Sequence, residues 1–261
     1  MFWTVTQSLL GGLGAAIQLF ALTLLFGLPL GLVIAFGSMS KWTPFRGLLR
    51  PKKPEKVDGT ADAAENGGLP ARQKEPSAFV KALAGFRPIH ALTDFVVWVV
   101  RGTPLMLQLM IIYYGPGLWF DNNIWGGNGR MTASVVAFVI NYACYFSVIY
   151  RGGIQGVPVG QREAAEVLGF TKRQIFFKVT LLQMIKRIVP PMSNEIITLV
   201  KDTSLAFAIG VAEMFSTAKA LVASQRSMMP FAISALFYWG FNFLVEIILG
   251  RIEKKMDYYH D

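Results

Sequence analysis

A long uncharged stretch, residues 9–37, restricts this chain to few fold classes. It carries no Asp, Glu, Lys or Arg and consists mainly of apolar residues. About 20 apolar residues in a helix cross the roughly 30 Å hydrocarbon core of a bilayer, so the stretch predicts a transmembrane helix. No Lys or Arg precedes Lys41. A secretory signal begins with basic residues, and we therefore expect a retained helix instead.

Three small or rigid residues inside this helix predict its shape and packing. Gly27 and Gly31 are four residues apart, a spacing that allows another helix to approach closely. Pro29 lies between them, and proline in a helix interior removes a backbone hydrogen bond, which predicts a kink.

Composition extends the membrane assignment to the whole chain. Apolar residues make up 53% of the sequence and charged residues only 16%. Further spanning helices are predicted at residues 94–115, 131–150, 188–210 and 230–250. We expect an all-α membrane protein with five transmembrane helices in one domain, residues 1–261. Residues 211–229 predict an outer segment with a short helix around Glu213–Ala223.

Two of the predicted spans contain features that disturb a regular apolar helix. Arg101 lies within the second span and is costly in hydrocarbon unless it faces protein or water. Gly102 and Pro104 follow it, and we expect irregular backbone there, which is tolerated where it is shielded or lines a cavity. Pro190 and Pro191 are expected to introduce the fourth span.

The distribution of basic residues predicts the orientation of the helices. Ten Lys and Arg residues lie in loop 41–90, seven in 151–187 and three in the C-terminal tail. The other side carries only Arg130, Lys219 and Arg226. Cytoplasmic loops carry the excess of basic residues, so we expect the N-terminus outside and the C-terminus in the cytoplasm. The placement of the basic residues in alternate loops explains the net charge of +9, so this charge does not indicate nucleic-acid binding.

The first long loop contains a change in composition. Residues 51–78 are rich in Pro, Gly, Ala and charge. Such a segment buries too little apolar surface to offset the entropy of ordering, which predicts a disordered cytoplasmic insertion. Residues 79–92 regain apolar spacing and predict a short interfacial helix.

A polar, basic stretch between apolar runs, residues 160–178, is named here the coupling segment. Glu163, Ala164 and Ala165 are expected to open a short helix, because carboxylates favour the positive end of a helix. Gly169 is expected to end it in the left-handed conformation. Thr171 begins a second helix, with Gln174 at capping-box spacing.

Four motifs in order resemble ABC importer permeases of the polar amino-acid (His/Glu/Gln/Arg-type) branch. The coupling segment carries EAA followed by Gly169. The others are Arg101-Gly102-Thr103-Pro104-Leu105, Arg151-Gly152-Gly153-Ile154 and Lys201-Asp202-Thr203-Ser204-Leu205. Val148 stands where the family often has glutamate, and Leu181-Leu182 stands where it usually has Leu-Pro.

The resemblance implies a type I ABC importer permease in a bacterial cytoplasmic (inner) membrane. Its coupling helices dock on a pair of separate ATPase subunits, which bind ATP and Mg²⁺ and hydrolyse the nucleotide. A second permease subunit and an extracytoplasmic solute-binding protein complete the assembly. This chain is then neither an enzyme nor a cofactor-binding subunit, and it has no Gly-rich phosphate loop ending in Lys-Ser or Lys-Thr.

The resemblance and the polar residues in the spans together give two sets of candidate site residues. The expected ATPase contacts are Glu163, Ala164, Ala165, Leu168, Gly169 and Phe170. The candidates for a translocation path are Asn141, Tyr145, Asn194, Glu195, Lys201, Asp202, Thr203 and Ser204. Glu195 and Asp202 are seven residues apart and share a helix face, whereas Lys201 points elsewhere. A buried network that only fixes helix packing is the alternative for this second set.

Other chemistry has little support in the sequence. Cys144 is the only cysteine, and His90 and His260 are far apart, so no metal site is predicted. Two other functions remain open at this point: a secondary transporter driven by an ion gradient and using Glu195 and Asp202, and a membrane scaffold or sensor without cargo.

Overall fold

The computed structural model describes residues 2–45, 84–121, 124–126 and 129–256. Its regular structure there is helical. The helices up to the coupling segment are α1 (Phe2–Ser38), α2 (Pro88–Gly102), α3 (Leu105–Phe120) and α4 (Gly129–Gln155). Those that follow are α5 (Val159–Val167), α6 (Lys172–Ile175), α7 (Leu181–Asp202), α8 (Met214–Gln225) and α9 (Met229–Met256). The predicted insertion at 51–78 and His260 lie outside the described residues.

The first helix packs against α4 at its small residues, as its spacing predicts. A Cβ added at Gly31 would lie 2.8 Å from Phe146 Cβ and 3.0 Å from the carbonyl oxygen of Ala143. At Gly27 the nearest atom would be Phe146 Cε2, at 3.5 Å. Any side chain at Gly31 would therefore push the two helices apart. Pro29 lies inside α1 without ending it.

The second predicted span is two helices rather than one. The axes of α2 and α3 differ by 106° across residues 103 and 104. Thr103 and Pro104 are both extended, with ψ values of 144° and 134°. The expected disturbance at Gly102 and Pro104 is thus confirmed, and the span predicted over 94–115 is a broken pair of helices. From Pro88 onward, the expected interfacial helix over 79–92 is part of α2.

The fourth predicted span begins earlier than its prolines. Helical backbone is continuous from Lys172 to Ile209, passing through a π-helical turn at Phe176–Thr180 and α7 into a 3₁₀ segment. Pro190 and Pro191 lie inside α7, so the expectation that they introduce the span is wrong. The coupling segment continues directly into this helix, and both prolines are exposed on its surface.

The remaining boundaries agree broadly with the sequence. Arg151 lies within α4, which runs on to Gln155 beyond the expected end of the third span. The short outer helix expected at Glu213–Ala223 is α8. The helix α9 extends past residue 250. Three described helices, α1, α4 and α9, are long and apolar enough to cross a membrane, and counting each of two bent helix pairs as one span gives five.

Helix α8 is held by the carboxylate of a residue that the sequence did not indicate. Glu213 is fully buried. Its carboxylate accepts hydrogen bonds from the backbone N–H groups of Phe215 and Ser216, both at 2.6 Å, and from the Tyr238 hydroxyl at 2.9 Å. Because these donors satisfy the charge, a buried glutamate at this position caps α8 and ties it to α9.

Candidate functional site

The first helix of the coupling segment begins before its carboxylate. It starts at Val159, directly after Pro158. Glu163 therefore lies in the second turn, and the expectation that Glu163, Ala164 and Ala165 open the helix is wrong. Proline fixes φ near −65°, a value suited to the start of a helix, so Pro158 rather than a carboxylate determines the beginning.

The end of this helix agrees with the sequence prediction. Gly169 has a φ of 77°. Its N–H donates to the Glu166 carbonyl at 3.0 Å, and the Phe170 N–H donates to the Ala165 carbonyl at 3.1 Å. These two bonds form a Schellman motif, which requires the left-handed conformation at Gly169.

The second short helix begins with the predicted capping box. The Gln174 N–H donates to Thr171 Oγ1 at 3.4 Å, and the Thr171 N–H donates to Gln174 Oε1 at 2.9 Å. Together the Schellman motif and the capping box satisfy the open backbone groups at a sharp corner. The corner between α5 and α6 is thus encoded locally.

The coupling segment presents an apolar tip. Val167 is 88% exposed and Leu168 is 74% exposed, beside exposed Ala164. Ala165 is instead 4% exposed and packs inward, so in this structure it supports the tip rather than forming its surface. Glu163, Gly169 and Phe170 are exposed. Val167 was not among the predicted ATPase contacts, although its position beside Leu168 indicates it.

A cavity of about 460 Å³ lies where the break between α2 and α3 faces α4 and α7, and it is named here the central cavity. Its lining residues are Arg101, Gly102, Thr103, Pro104, Leu105, Asn141, Tyr142, Tyr145, Glu195, Thr198, Asp202 and Leu205. One wall is the irregular backbone after α2, and a second is the polar stripe of α4. The third wall carries both carboxylates of α7, because residues seven apart lie on one face of a helix.

Direct contacts organise these walls. The Tyr142 hydroxyl donates to Asp202 Oδ2 at 2.8 Å, which joins α4 to α7. The Arg101 guanidinium lies over the ring of Tyr145, 5.0 Å from its centroid. This arrangement is a favourable cation–π geometry and holds the cation at the cavity. The cavity therefore brings one guanidinium and two carboxylates into the same small space.

The structure separates the predicted path residues into two groups. Asn141, Tyr145, Glu195 and Asp202 line the central cavity. The rest are not among its lining residues. Asn194 and Lys201 are exposed, the buried Thr203 hydroxyl donates to the Val200 carbonyl, and the Ser204 hydroxyl donates to the Lys201 carbonyl.

Several cavity residues were not among the candidates. Tyr142 and Thr198 line the cavity one turn from predicted residues, which helical spacing would have indicated. Arg101 was recognised only as a costly cation, although it is also a lining residue. The described residues contain no group of three His, Cys, Asp or Glu side chains that could hold a metal ion.

Comparison with known proteins shows where the chain belongs. The family of binding-protein-dependent transport system inner membrane components matches residues 77–258. The chain belongs to this family. It is therefore a permease component of an ABC importer, and an ion-driven secondary transporter or a cargo-free scaffold is not supported.

Permeases of several transport systems align with most of this permease. The L-cystine transport system permease protein of Bacillus subtilis is 36% identical over 187 residues, which are 70% of this chain and 78% of that protein. The glutamine transport system permease protein of Escherichia coli is 32% identical, covering 69% of this chain and 81% of that protein. The octopine transport system permease protein of Rhizobium radiobacter is 30% identical, with 96% and 86% covered.

Solved structures confirm the fold class. One chain of an amino acid ABC transporter crystallised with histidines has a TM-score of 0.72 and 27% identity, covering 97% of this permease and 96% of that chain. A methionine ABC transporter in an inward-facing conformation has a TM-score of 0.59 at 15% identity, which shows a shared fold. The expected type I ABC importer permease fold is confirmed.

Proposed function

We propose that this permease moves polar amino acids into the cell through the central cavity. The observation that carries the proposal is the presence of both charge signs on the cavity walls. Arg101 offers donors for a carboxylate, and Glu195 and Asp202 offer acceptors for an ammonium group. An amino acid carries both groups, so it matches this pair of walls. The relatives named for cystine and glutamine transport support the same class.

The size of the cavity suits a small polar solute. Its volume of about 460 Å³ falls in the range of roughly 300–1,000 Å³ that is usual for small-molecule sites. Tyr142 holds Asp202 by a 2.8 Å hydrogen bond and Tyr145 holds Arg101, so both charges are oriented before a substrate arrives. Preorganised charges lower the entropic cost of binding.

Energy for transport would come from a partner ATPase at the coupling segment. The exposed tip of Val167 and Leu168 lies beside Ala164, whose small side chain permits close approach. ATP and Mg²⁺ would be bound by that partner. A second permease subunit, identical or related, and an extracytoplasmic solute-binding protein would complete the importer. In this arrangement the N-terminus lies outside and the coupling segment lies in the cytoplasm.

Uptake into proteoliposomes tests the proposal. The complete importer (the permease pair, its ATPase and its solute-binding protein) is reconstituted, and ATP-dependent uptake of radiolabelled L-glutamine, L-arginine and L-cystine is measured. Glu195→Gln removes one cavity charge. Since a hydrogen bond to a charged group contributes about 1.5–3 kcal/mol, we expect KM to rise about 10- to 100-fold.

The control is the same Glu-to-Gln substitution in a spanning helix, at a residue outside the cavity. Glu246 is exposed on α9 and does not line the cavity, so Glu246→Gln should leave KM unchanged. Equal KM values for wild type and Glu195→Gln would remove the central cavity from the substrate path. The absence of uptake of all three amino acids by wild type would refute the substrate class.

A further inference from the structure

The break between α2 and α3 leaves backbone groups that need partners. A helix end leaves its last four carbonyls without intrahelical donors. Here the chain leaves α2 at Gly102, continues extended through Thr103 and Pro104, and re-enters a helix at Leu105. Pro104 has no N–H to offer. Inside a membrane protein, unsatisfied carbonyls are costly, so the broken backbone requires donors from side chains.

The amide of Gln108 is a donor to two of these carbonyls. Its Nε2 lies 2.7 Å from the Val100 carbonyl oxygen, 2.7 Å from Thr103 Oγ1 and 3.1 Å from the Thr103 carbonyl oxygen. The Thr103 hydroxyl in turn donates to the Val99 carbonyl at 3.0 Å. Gln108 belongs to the first turn of α3, so its amide ties α3 back to the end of α2 across the 106° bend.

A residue on another helix orients this amide. Asn141 on α4 donates from Nδ2 to Gln108 Oε1 at 3.1 Å. Because the Gln108 oxygen faces Asn141, its NH₂ group faces the carbonyls of the break. Asn141 is only 5% exposed. The two amides form a chain that runs from α4 to the broken backbone.

The broken backbone is itself a wall of the central cavity. Arg101, Gly102, Thr103, Pro104 and Leu105 all line it, whereas Gln108 does not. Arg101 thus lies between Val100 and Thr103, the two residues that Gln108 contacts from outside the cavity.

We propose that Gln108 is a positioning residue for transport, and that Asn141 acts through Gln108 instead of through contact with the substrate. By holding the break in one conformation, the pair fixes the donor wall of the cavity. This inference rests on the proposed function, because it assumes that the central cavity binds polar amino acids. It adds that Gln108, which lies outside the cavity, contributes to that affinity.

The first test is Gln108→Met, which keeps an unbranched side chain of similar length and removes every hydrogen bond. In the uptake assay with L-glutamine, L-arginine and L-cystine, we expect KM to rise about tenfold, as the loss of one or two neutral hydrogen bonds allows. The maximal rate and ATPase binding should stay near wild type. The matched control is Gln18→Met, because Gln18 is exposed on α1 and remote in sequence from the break.

A second readout needs no substrate. Gly102→Cys places a thiol at the break, where an added Cβ meets nothing within 4 Å. The native Cys144 is fully buried and gives the background. Labelling by a water-soluble thiol reagent should be about tenfold faster with Gln108→Met than without it, because losing one or two hydrogen bonds of about 1 kcal/mol each makes open conformations of the break more populated. Should Gln108→Met fail to fold, Gln108→Glu keeps the acceptor for Asn141 and removes the amide donors.

A double variant tests the role of Asn141. If Asn141 acts through Gln108, adding Asn141→Leu to Gln108→Met raises KM no further, because residues in one network are not additive. A further rise would overturn the assignment of Asn141. Unchanged labelling and unchanged KM in Gln108→Met would overturn the proposal itself. If wild type transports none of the three amino acids but labelling still accelerates, the substrate class fails and the positioning role stands.

Discussion

Replacing Gly169 with alanine tests whether the corner of the coupling segment is needed for docking. Gly169 has a φ of 77°, and an added Cβ would meet no atom within 4 Å. The penalty for alanine is therefore backbone strain alone, about 1–2 kcal/mol for an L-residue in the left-handed conformation. Such a penalty lowers the ratio of molecules with the folded α5–α6 corner to molecules with this corner unfolded by about 5- to 30-fold.

The measured quantity is the affinity of the solubilised permease for its ATPase, with and without ATP. If docking requires the Schellman motif at residues 165–170, Kd should rise by up to the same 5- to 30-fold. The control is Gly160→Ala. Gly160 lies inside α5, with nothing within 4 Å of an added Cβ and no positive φ. Alanine there should favour the helix by about 0.5–1 kcal/mol.

A stronger pair of changes extends the same measurement. Proline cannot adopt the φ of Gly169, and Ala164→Asp adds charge beside the exposed tip. The double variant with Gly169→Pro should lose the ATPase while its helix content is unchanged, whereas Gly169→Pro alone should uncouple uptake from ATP hydrolysis. Retention of the ATPase by a folded double variant, or equal Kd values for Gly169→Ala and Gly160→Ala, would refute the reasoning.

Two further predictions concern the spans. Tyr142→Phe removes the hydroxyl that donates to Asp202 at 2.8 Å, so the KM for amino-acid uptake should rise about tenfold or more, in line with a hydrogen bond to a charged group; an unchanged KM would show that this bond does not contribute to substrate affinity. Gly12→Ala would place a Cβ 2.7 Å from Met214 Cα, and overpacking of this kind costs about 1–3 kcal/mol. Thermal unfolding of the solubilised permease should therefore shift downward for Gly12→Ala and not for Gly14→Ala, which meets nothing within 4 Å.

Local signals in the sequence were enough to predict most of the helices and the end of α5 at the corner, but not the starts of α5 and of the fourth span. Apolar runs determined where helices form, because an unpaired backbone cannot face lipid. The left-handed Gly169 and the capping box at Thr171 followed from residue types a few positions apart, since each motif is completed within one or two turns. The common face of Glu195 and Asp202 followed from helical periodicity.

Only the tertiary structure decided which residues of other helices those helix faces contact. Gln108 contacts Asn141, 33 positions away, and Tyr142 contacts Asp202, 60 positions away. The 106° bend between α2 and α3 brings Gln108 within hydrogen-bonding distance of the Val100 and Thr103 carbonyls. Sequence periodicity defines the faces of each helix, but the rotation and approach of neighbouring helices determine which polar groups come within hydrogen-bonding distance. Packing between helices therefore determines which residues meet in the central cavity of this permease. The residues of each helix determine that it forms and which of its faces is polar.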